Sequence, residues 1–200
     1  MEATMGEKHY HFFAFISRMK YIYRWGLMRN TQQENLQGHS LEVAVIAHAL
    51  AVIRNNIYGG NVNPDRIAVQ AIFHDSNETI TGDMPTPIKY FNPSISKAYK
   101  DVENISKDKL VSMLPEELKA TYAKLLFYGD SEEEARQIIK AADRISAYVK
   151  CIEEEKAGNK EFKKAGEAIY ASILEIGIPE INYFIENFLT SFFLSLDELE

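Results

Sequence analysis

A single cysteine, Cys151, stands in a chain of 200 residues, so neither an intrachain disulfide nor a zinc cage built on thiolates is open to it. Its helical surroundings read as those of a packed thiol without a catalytic role. Dense runs of Lys and Arg are missing, and the net charge of −7 opposes attraction to a polyphosphate backbone, which argues against a nucleic acid polymer as partner. No uninterrupted apolar stretch approaches the roughly 20 residues needed to span a bilayer, and Met1-Glu2-Ala3-Thr4 lacks the basic-then-apolar order of a secretory signal. The expected setting is the cytosol, with no membrane partner. Strand-like alternation, internal repeats and low-complexity linkers are also absent. A single all-α domain over residues 1–200 is therefore expected, with residues 1–8 as a flexible N-terminal extension.

What the chain does have is apolar and aromatic content, 46% hydrophobic with 11 Tyr and 11 Phe, enough to close a substantial core. Phe12, Phe13, Ile16, Met19 and Tyr23 fall on one stripe of a helix over about Tyr10 to Tyr23. After a turn-like Arg24-Trp25-Gly26, the run His39 to Ile53 reads as a mostly buried helix. Asn63-Pro64-Asp65 is a helix start, with Asn as cap and Pro at the first helical position, and that helix should run to about His74-Asp75. Two prolines in Thr81-Gly82-Asp83-Met84-Pro85-Thr86-Pro87 call for a shaped loop. Further helices are expected from Ser94, from Pro115, from a capping box at Ser131 through Glu155, and from Pro179 to near Leu196. The sum is a bundle of about seven or more helices.

Chemistry concentrates at His74-Asp75, where two metal-ligand types and the carboxylate of Glu78 gather at the end of an apolar segment. Ionisable groups in such a place must be paired, hydrogen-bonded or bound to a cation. If the segment is helical through Glu78, that residue lies four beyond His74 and three beyond Asp75, on adjoining faces. Asp143 shares the inward stripe of Ile139, Ala142, Ser146 and Val149. It is either a ligand or the partner of a neighbouring helix end. His39, at a helix start, is the better ligand candidate, whereas His48 sits half a turn away and reads as a hydrogen-bonded core histidine. His9 and His11 look incidental.

The order His39, then His74-Asp75, then Asp143 resembles the H…HD…D signature of the HD-domain metal-dependent phosphohydrolases. The likeness extends over nearly the whole chain to the bacterial 5′-deoxynucleotidases of that superfamily. It runs through His11-Phe12-Phe13-Ala14, Arg24-Trp25, Leu27-Met28-Arg29-Asn30, Gly60-Asn61-Val62-Asn63, the segment Thr81 to Asn92, and Ser191 to Glu198. One departure is Gly38, which occupies a position where that family often has an acidic residue.

The resemblance implies an HD-domain helical bundle in which His39, His74, Asp75 and Asp143 hold one divalent metal ion. Two imidazoles with two carboxylates suit Co²⁺ or Mn²⁺, and also Fe²⁺ or Mg²⁺. It implies that Glu78 orients or deprotonates the attacking water or assists the leaving oxygen, that Arg24 neutralises the phosphate, and that Trp25 packs on the sugar and excludes a 2′-hydroxyl. Asp83, Met84, Pro85 and Thr86 would form the substrate-contacting loop, with Lys89 adding positive potential. The implied activity is hydrolysis of deoxyribonucleoside 5′-monophosphates to deoxynucleosides and phosphate with broad base tolerance, by a homodimer. The alternatives are an HD phosphohydrolase acting on nucleoside triphosphates or cyclic nucleotides, or a regulatory HD domain that only binds a nucleotide.

Overall fold

The computed structural model describes residues 9–128 and 132–199; the expected extension over residues 1–8 and the capping residue Ser131 lie outside them. The described residues form helices joined by short turns, and their one element of strand pairing is an isolated antiparallel bridge between Tyr23 and Asn35.

Helix α1 (Phe12–Ile16) is shorter than its apolar stripe suggests, because the chain tightens at once into a 3₁₀ turn, Ser17–Tyr21. The tightening splits the stripe: Phe12 and Met19 are buried, whereas Phe13 and Tyr23 are exposed. Helix α2 (Leu36–Tyr58) is the central element. The Asn35 side chain caps it by accepting from the Gly38 amide, and Gly59 closes it with a left-handed φ of 70°. Gly60 then passes so near Arg54 that a Cβ there would overlap that side chain.

Among the described residues, α2 alone is long and apolar enough to cross a membrane, yet 56% of that window is buried in the protein's own core. Helix α3 (Pro64–Ile72) begins as expected, the Asn63 carboxamide accepting from the Arg66 amide. It ends before His74. Two short helices, α4 (Glu78–Thr81) and α5 (Thr86–Lys89), follow on either side of the turn at Gly82.

Asn92 caps α6 (Pro93–Ser112), which opens at Pro93, one residue before the expected Ser94. Helix α7 (Glu116–Leu126) begins after Pro115. Helix α8 (Glu133–Lys156) ends where Gly158 takes a positive φ, as its position predicts. Helix α9 (Lys163–Leu174) covers it, and α10 (Pro179–Asn187) packs on α2. The run expected to Leu196 breaks at Phe188 into 3₁₀ turns at Leu189–Phe193 and Leu196–Glu198.

Two apolar clusters hold these helices. The larger joins α2, α3, α8, α9 and α10 through Val43, Leu50, Ile67, Ile138, Ile145, Ile173 and Ile181. Alanines on both α2 and α8 bring the two helix backbones close, and they run antiparallel, with His39 beside Ser146 and Arg54 beside Glu134. The smaller cluster gathers Phe12, Leu110, Leu114 and Leu126 with Phe73 and Tyr122 at its edge. Phe12 is fully buried, and its ring meets both Phe73 and Tyr122, so it contributes about 1.5–3 kcal/mol to this join. Phe73 directly precedes His74, which therefore sits between the two clusters.

Candidate active site

His74 and Asp75 lie in a run of tight turns between α3 and α4, not on a continuous helix. Amide bonds from His74 to Ala71, from Ser76 to Phe73 and from Glu78 to Asp75 keep the segment compact, so Glu78 still faces the same space. The His74 Nδ1–H donates to the Ala71 carbonyl at 2.7 Å, which assigns the lone pair of the neutral ring to Nε2. That Nε2 is buried and has no hydrogen-bond partner. Asp75 Oδ2 is 2.9 Å away but off the hydrogen-bonding direction.

His39 is the fourth residue of α2 and is 1% exposed, deeper than an accessible helix end. Its Nδ1 lies 3.0 Å from Ser146 Oγ, and the Ser146 hydroxyl donates to Glu42. The serine oxygen is therefore left to accept from Nδ1–H, and Nε2 carries the lone pair 3.1 Å from Asp143 Oδ1. A lone pair facing a carboxylate calls for a cation or a proton between them. Nitrogen and oxygen atoms of His39, His74 and Asp143 lie within 4.8 Å of one another, and Asp75 Oδ2 is 3.9 Å from His39 Nε2. The buried, unpartnered Nε2 of His74 and the two preset imidazole tautomers fit a divalent ion.

Burial and the Arg24 charge push the His39 imidazolium below its ordinary range. His74 is held up despite burial, chiefly by Asp75. Burial raises the Asp75 carboxyl, but His74, Arg24 and His39 outweigh it and keep it well below the usual carboxylate range. Asp143 is likewise lowered to about 2 against burial, first by the adjoining His39 imidazole. Glu78 is the opposite case: burial, then the charges of Asp75 and Asp83, push it up to about 10. Its Oε2 is buried and has no hydrogen-bond partner. One site thus holds ionised and protonated carboxyls side by side, the division of labour that acid–base chemistry needs.

Arg24 reaches this cluster with NH1 3.5 Å from Asp75 Oδ2, while its Nε donates to Glu34 at 2.9 Å. Trp25 adopts a φ of 61°, a left-handed backbone that costs a bulky residue about 1–3 kcal/mol. Its indole N–H donates to the same Glu34 oxygen at 2.7 Å, and its ring packs 5.3 Å from Phe162. Burial raises the Asp83 pKa, against an opposing pull from Arg24.

Asp83, Met84 and Pro85 are half-buried, whereas Thr86 is exposed at the start of α5. Lys89 pairs with Glu103 at 2.7 Å, which neutralises much of the potential expected from it. His48 is a correction: it is exposed and faces Asp65 at 3.5 Å, because the small residues of α2 turn their other side to the core. His9 and His11 are exposed. Cys151 is buried, and burial pushes its thiol up to about 12, as an inert packed cysteine requires.

A cleft of about 220 Å³ opens beside His74, Asp75 and Asp143, with Lys107, Arg136 and Lys140 among its lining residues. These cations share that lining with Asp75, Glu103 and Asp143, and Arg136 is paired with Glu133. A wider groove of about 500 Å³, lined by Arg66, Lys124, Phe127 and Glu132, contains none of the cluster residues. Glu34, Glu42 and the hydroxyl role of Ser146 escape sequence reasoning. Each acts across a tertiary contact that no periodicity announces, and only the inward stripe placed Ser146 near Asp143.

Comparison with known proteins agrees with this geometry. Residues 11–192 match the model of the family described as 5′-deoxynucleotidase YfbR-like. A 5′-deoxynucleotidase of Vibrio parahaemolyticus is 52% identical over 96% of this chain and 99% of its own length. The 5′-deoxynucleotidase YfbR of Escherichia coli is 50% identical over 96% of both chains. Among solved structures, an HD-domain phosphohydrolase from Listeria innocua superposes with a TM-score of 0.81 at 23% identity, over 93% of this chain and 90% of that one. A cyanophage S-2L HD phosphohydrolase bound to dA and one catalytic Zn²⁺ shares the fold at a TM-score of 0.63 and 16% identity, over 96% of this chain and 99% of that one. With the histidine and aspartate cluster in place and half the residues identical over nearly full length, the chain belongs to the YfbR-like 5′-deoxynucleotidase family of HD-domain phosphohydrolases.

Proposed function

We propose that the protein hydrolyses deoxyribonucleoside 5′-monophosphates to deoxynucleosides and inorganic phosphate, with one divalent ion held by His39, His74, Asp75 and Asp143. The observation that carries this reading is the buried Nε2 of His74, presented without a partner toward Asp143 and His39 beside an arginine. A bound ion supplies Lewis-acid polarisation of the phosphoryl group and a more acidic water. Two imidazoles beside two carboxylates favour Co²⁺ or Mn²⁺ over Mg²⁺, with Fe²⁺ also accommodated.

Arg24 neutralises the phosphate dianion with its terminal nitrogens, since its Nε is committed to Glu34. Glu78, whose buried Oε2 has no partner beside Asp75, orients or deprotonates the attacking water or assists the leaving sugar oxygen. Trp25 closes the space over C2′, so that a ribose hydroxyl is excluded, while Asp83, Met84, Pro85 and Thr86 flank the sugar and phosphate. Recognition that stops at sugar and phosphate leaves the base free to vary.

The protein works in the cytoplasm as a homodimer in this reading. Exposed Phe13 and Tyr21 near one end of the chain and Phe188 and Phe193 near the other support self-association. Light scattering is expected to give twice 22.9 kDa.

The test is to strip the metal, reload separately with Mn²⁺ and Co²⁺, and measure phosphate release from dAMP and AMP side by side. Rapid release from dAMP and slow release from AMP is the expected result. Release of triphosphate from dATP, with none of phosphate from dAMP, would replace this reading by the triphosphohydrolase one.

A further inference from the structure

We propose that Glu34 is a positioning residue that sets the preference for deoxyribose by holding Arg24 and Trp25 on a single carboxylate oxygen. The inference rests on the 5′-deoxynucleotidase reading above. Glu34 Oε2 accepts from Arg24 Nε at 2.9 Å and from Trp25 Nε1 at 2.7 Å. The Arg24 and Glu34 side chains are only 13% and 14% exposed, so these charge-assisted bonds are sheltered from competing water.

Consecutive residues of an extended chain point to opposite faces. Arg24 and Trp25 reach one oxygen only because Trp25 takes a positive φ. Its backbone is held there by the Met28 amide, 2.9 Å from the Trp25 carbonyl, and by Phe162 against its ring. The strained residue and the shared acceptor are therefore parts of one arrangement.

Glu34 is itself fixed by the backbone. Its carbonyl accepts from the Arg24 amide at 3.0 Å, and the Leu36 amide donates to the Ile22 carbonyl at 2.8 Å. The next residue, Asn35, caps α2, the helix that carries His39. The other carboxylate oxygen, Oε1, lies 3.9 Å from His39 Nδ1. Groups that read phosphate and sugar thus share one anchor registered on the helix of the first histidine. Taking Nε of Arg24 also leaves NH1 free to approach Asp75, 3.5 Å away. Losing the anchor frees the arginine and the indole together.

The near-isosteric Glu34→Gln keeps the side-chain length but removes the negative charge that both donors share. Its dAMP-to-AMP ratio of kcat/KM is expected to fall about tenfold, with a higher KM for dAMP and unchanged metal content. Trp25 is the only tryptophan in the chain, so its emission should shift to the red and become easier to quench with acrylamide in that variant. Trp25→Phe removes one of the two donors and keeps a ring. In the double variant Trp25→Phe/Glu34→Gln, the loss of selectivity should be no greater than in Glu34→Gln alone. Strict additivity, or an unchanged ratio in Glu34→Gln beside an active and selective unsubstituted protein, would overturn the role of Glu34. Inactivity of the unsubstituted protein toward dAMP would instead overturn the activity on which the inference rests.

Discussion

The two ends of α2 both bury charge, and they treat it in opposite ways. At the C-terminal end, Arg54 meets Glu180 through Nε at 2.5 Å and NH2 at 3.4 Å, and Glu134 through NH1 at 3.1 Å. The donors and acceptors there answer one another, and Gly60 closes over them. At the N-terminal end, Glu34, Asp75, Asp143 and the His74 imidazole crowd around His39, yet His74 Nε2 and Glu78 Oε2 have no hydrogen-bond partners. Burial is deep at both ends, so burial alone does not distinguish a structural ion pair from a reactive site. The difference is closure. Matched charge fixes α10 against α2, whereas unmatched charge beside a cleft waits for something that is not part of the chain.

The contrast is sharpest at Glu78. Glu78→Gln should retain metal and lower kcat for dAMP by about 10²–10⁴-fold, read by phosphate release under saturating substrate. An unchanged rate would make the open end as structural as the closed one. At that closed end, Glu180→Ala leaves the buried Arg54 with only the more exposed Glu134 as partner, and should cost up to about 3–5 kcal/mol in urea unfolding. The dAMP-to-AMP ratio of the folded protein should not move; a changed ratio with unchanged stability would erase the distinction.

Ser146→Ala removes the acceptor that fixes the His39 tautomer and should weaken Mn²⁺ binding by about 10–100-fold in calorimetric titration. The smallest effect belongs to Glu154, another matched carboxylate. Burial opposes its ionisation, but bonds from Lys150, Asn159 and Thr31 outweigh burial and lower its pKa to about 2. Its contribution to stability is complete above its ordinary value near 4.5 and is lost as pH falls toward 2. Between those values the emission of Trp25, which packs on Phe162 near this clamp, should change in the unsubstituted protein and stay flat in Glu154→Gln.

Local signals made most of the scaffold legible. Asn63-Pro64, Pro115, Gly158 and Pro179 mark helix ends through backbone chemistry that acts within a few residues, and the structure places boundaries at or beside them. The family and its all-helical fold were legible through His39, His74-Asp75 and Asp143 in order. Features that depend on one segment meeting another were not. The apolar character of Ala71, Ile72 and Phe73 suggested a helix running to about His74-Asp75, but it ends at Ile72 and the chain turns so that Phe73 joins the smaller cluster. An alanine-rich stretch suggested a buried His48, although that residue lies on the outer side of α2. Glu34 stands ten residues from Arg24, and nothing in a polar stretch of sequence marks it as the acceptor for two neighbours. The positive φ of Trp25 was equally hidden, since glycine and not tryptophan signals that conformation.

Phe73 and His74 are joined by one peptide bond, and they answer to different neighbours. Phe73 belongs to the small cluster built around Phe12, while the ring of His74 faces His39 on the central helix. The grip on this imidazole is therefore no firmer than the lesser of the two cores. With Phe12, Leu110, Leu114 and Leu126 as its fully packed members, that core should open at a lower free energy than the one around Leu50 and Ile145. Hydrogen exchange at the turn should follow the breathing of the first helix and not the global unfolding of the bundle. An ion held at His74, as proposed, would leave by such a local opening, with the short aromatic segment around Phe12 as its latch.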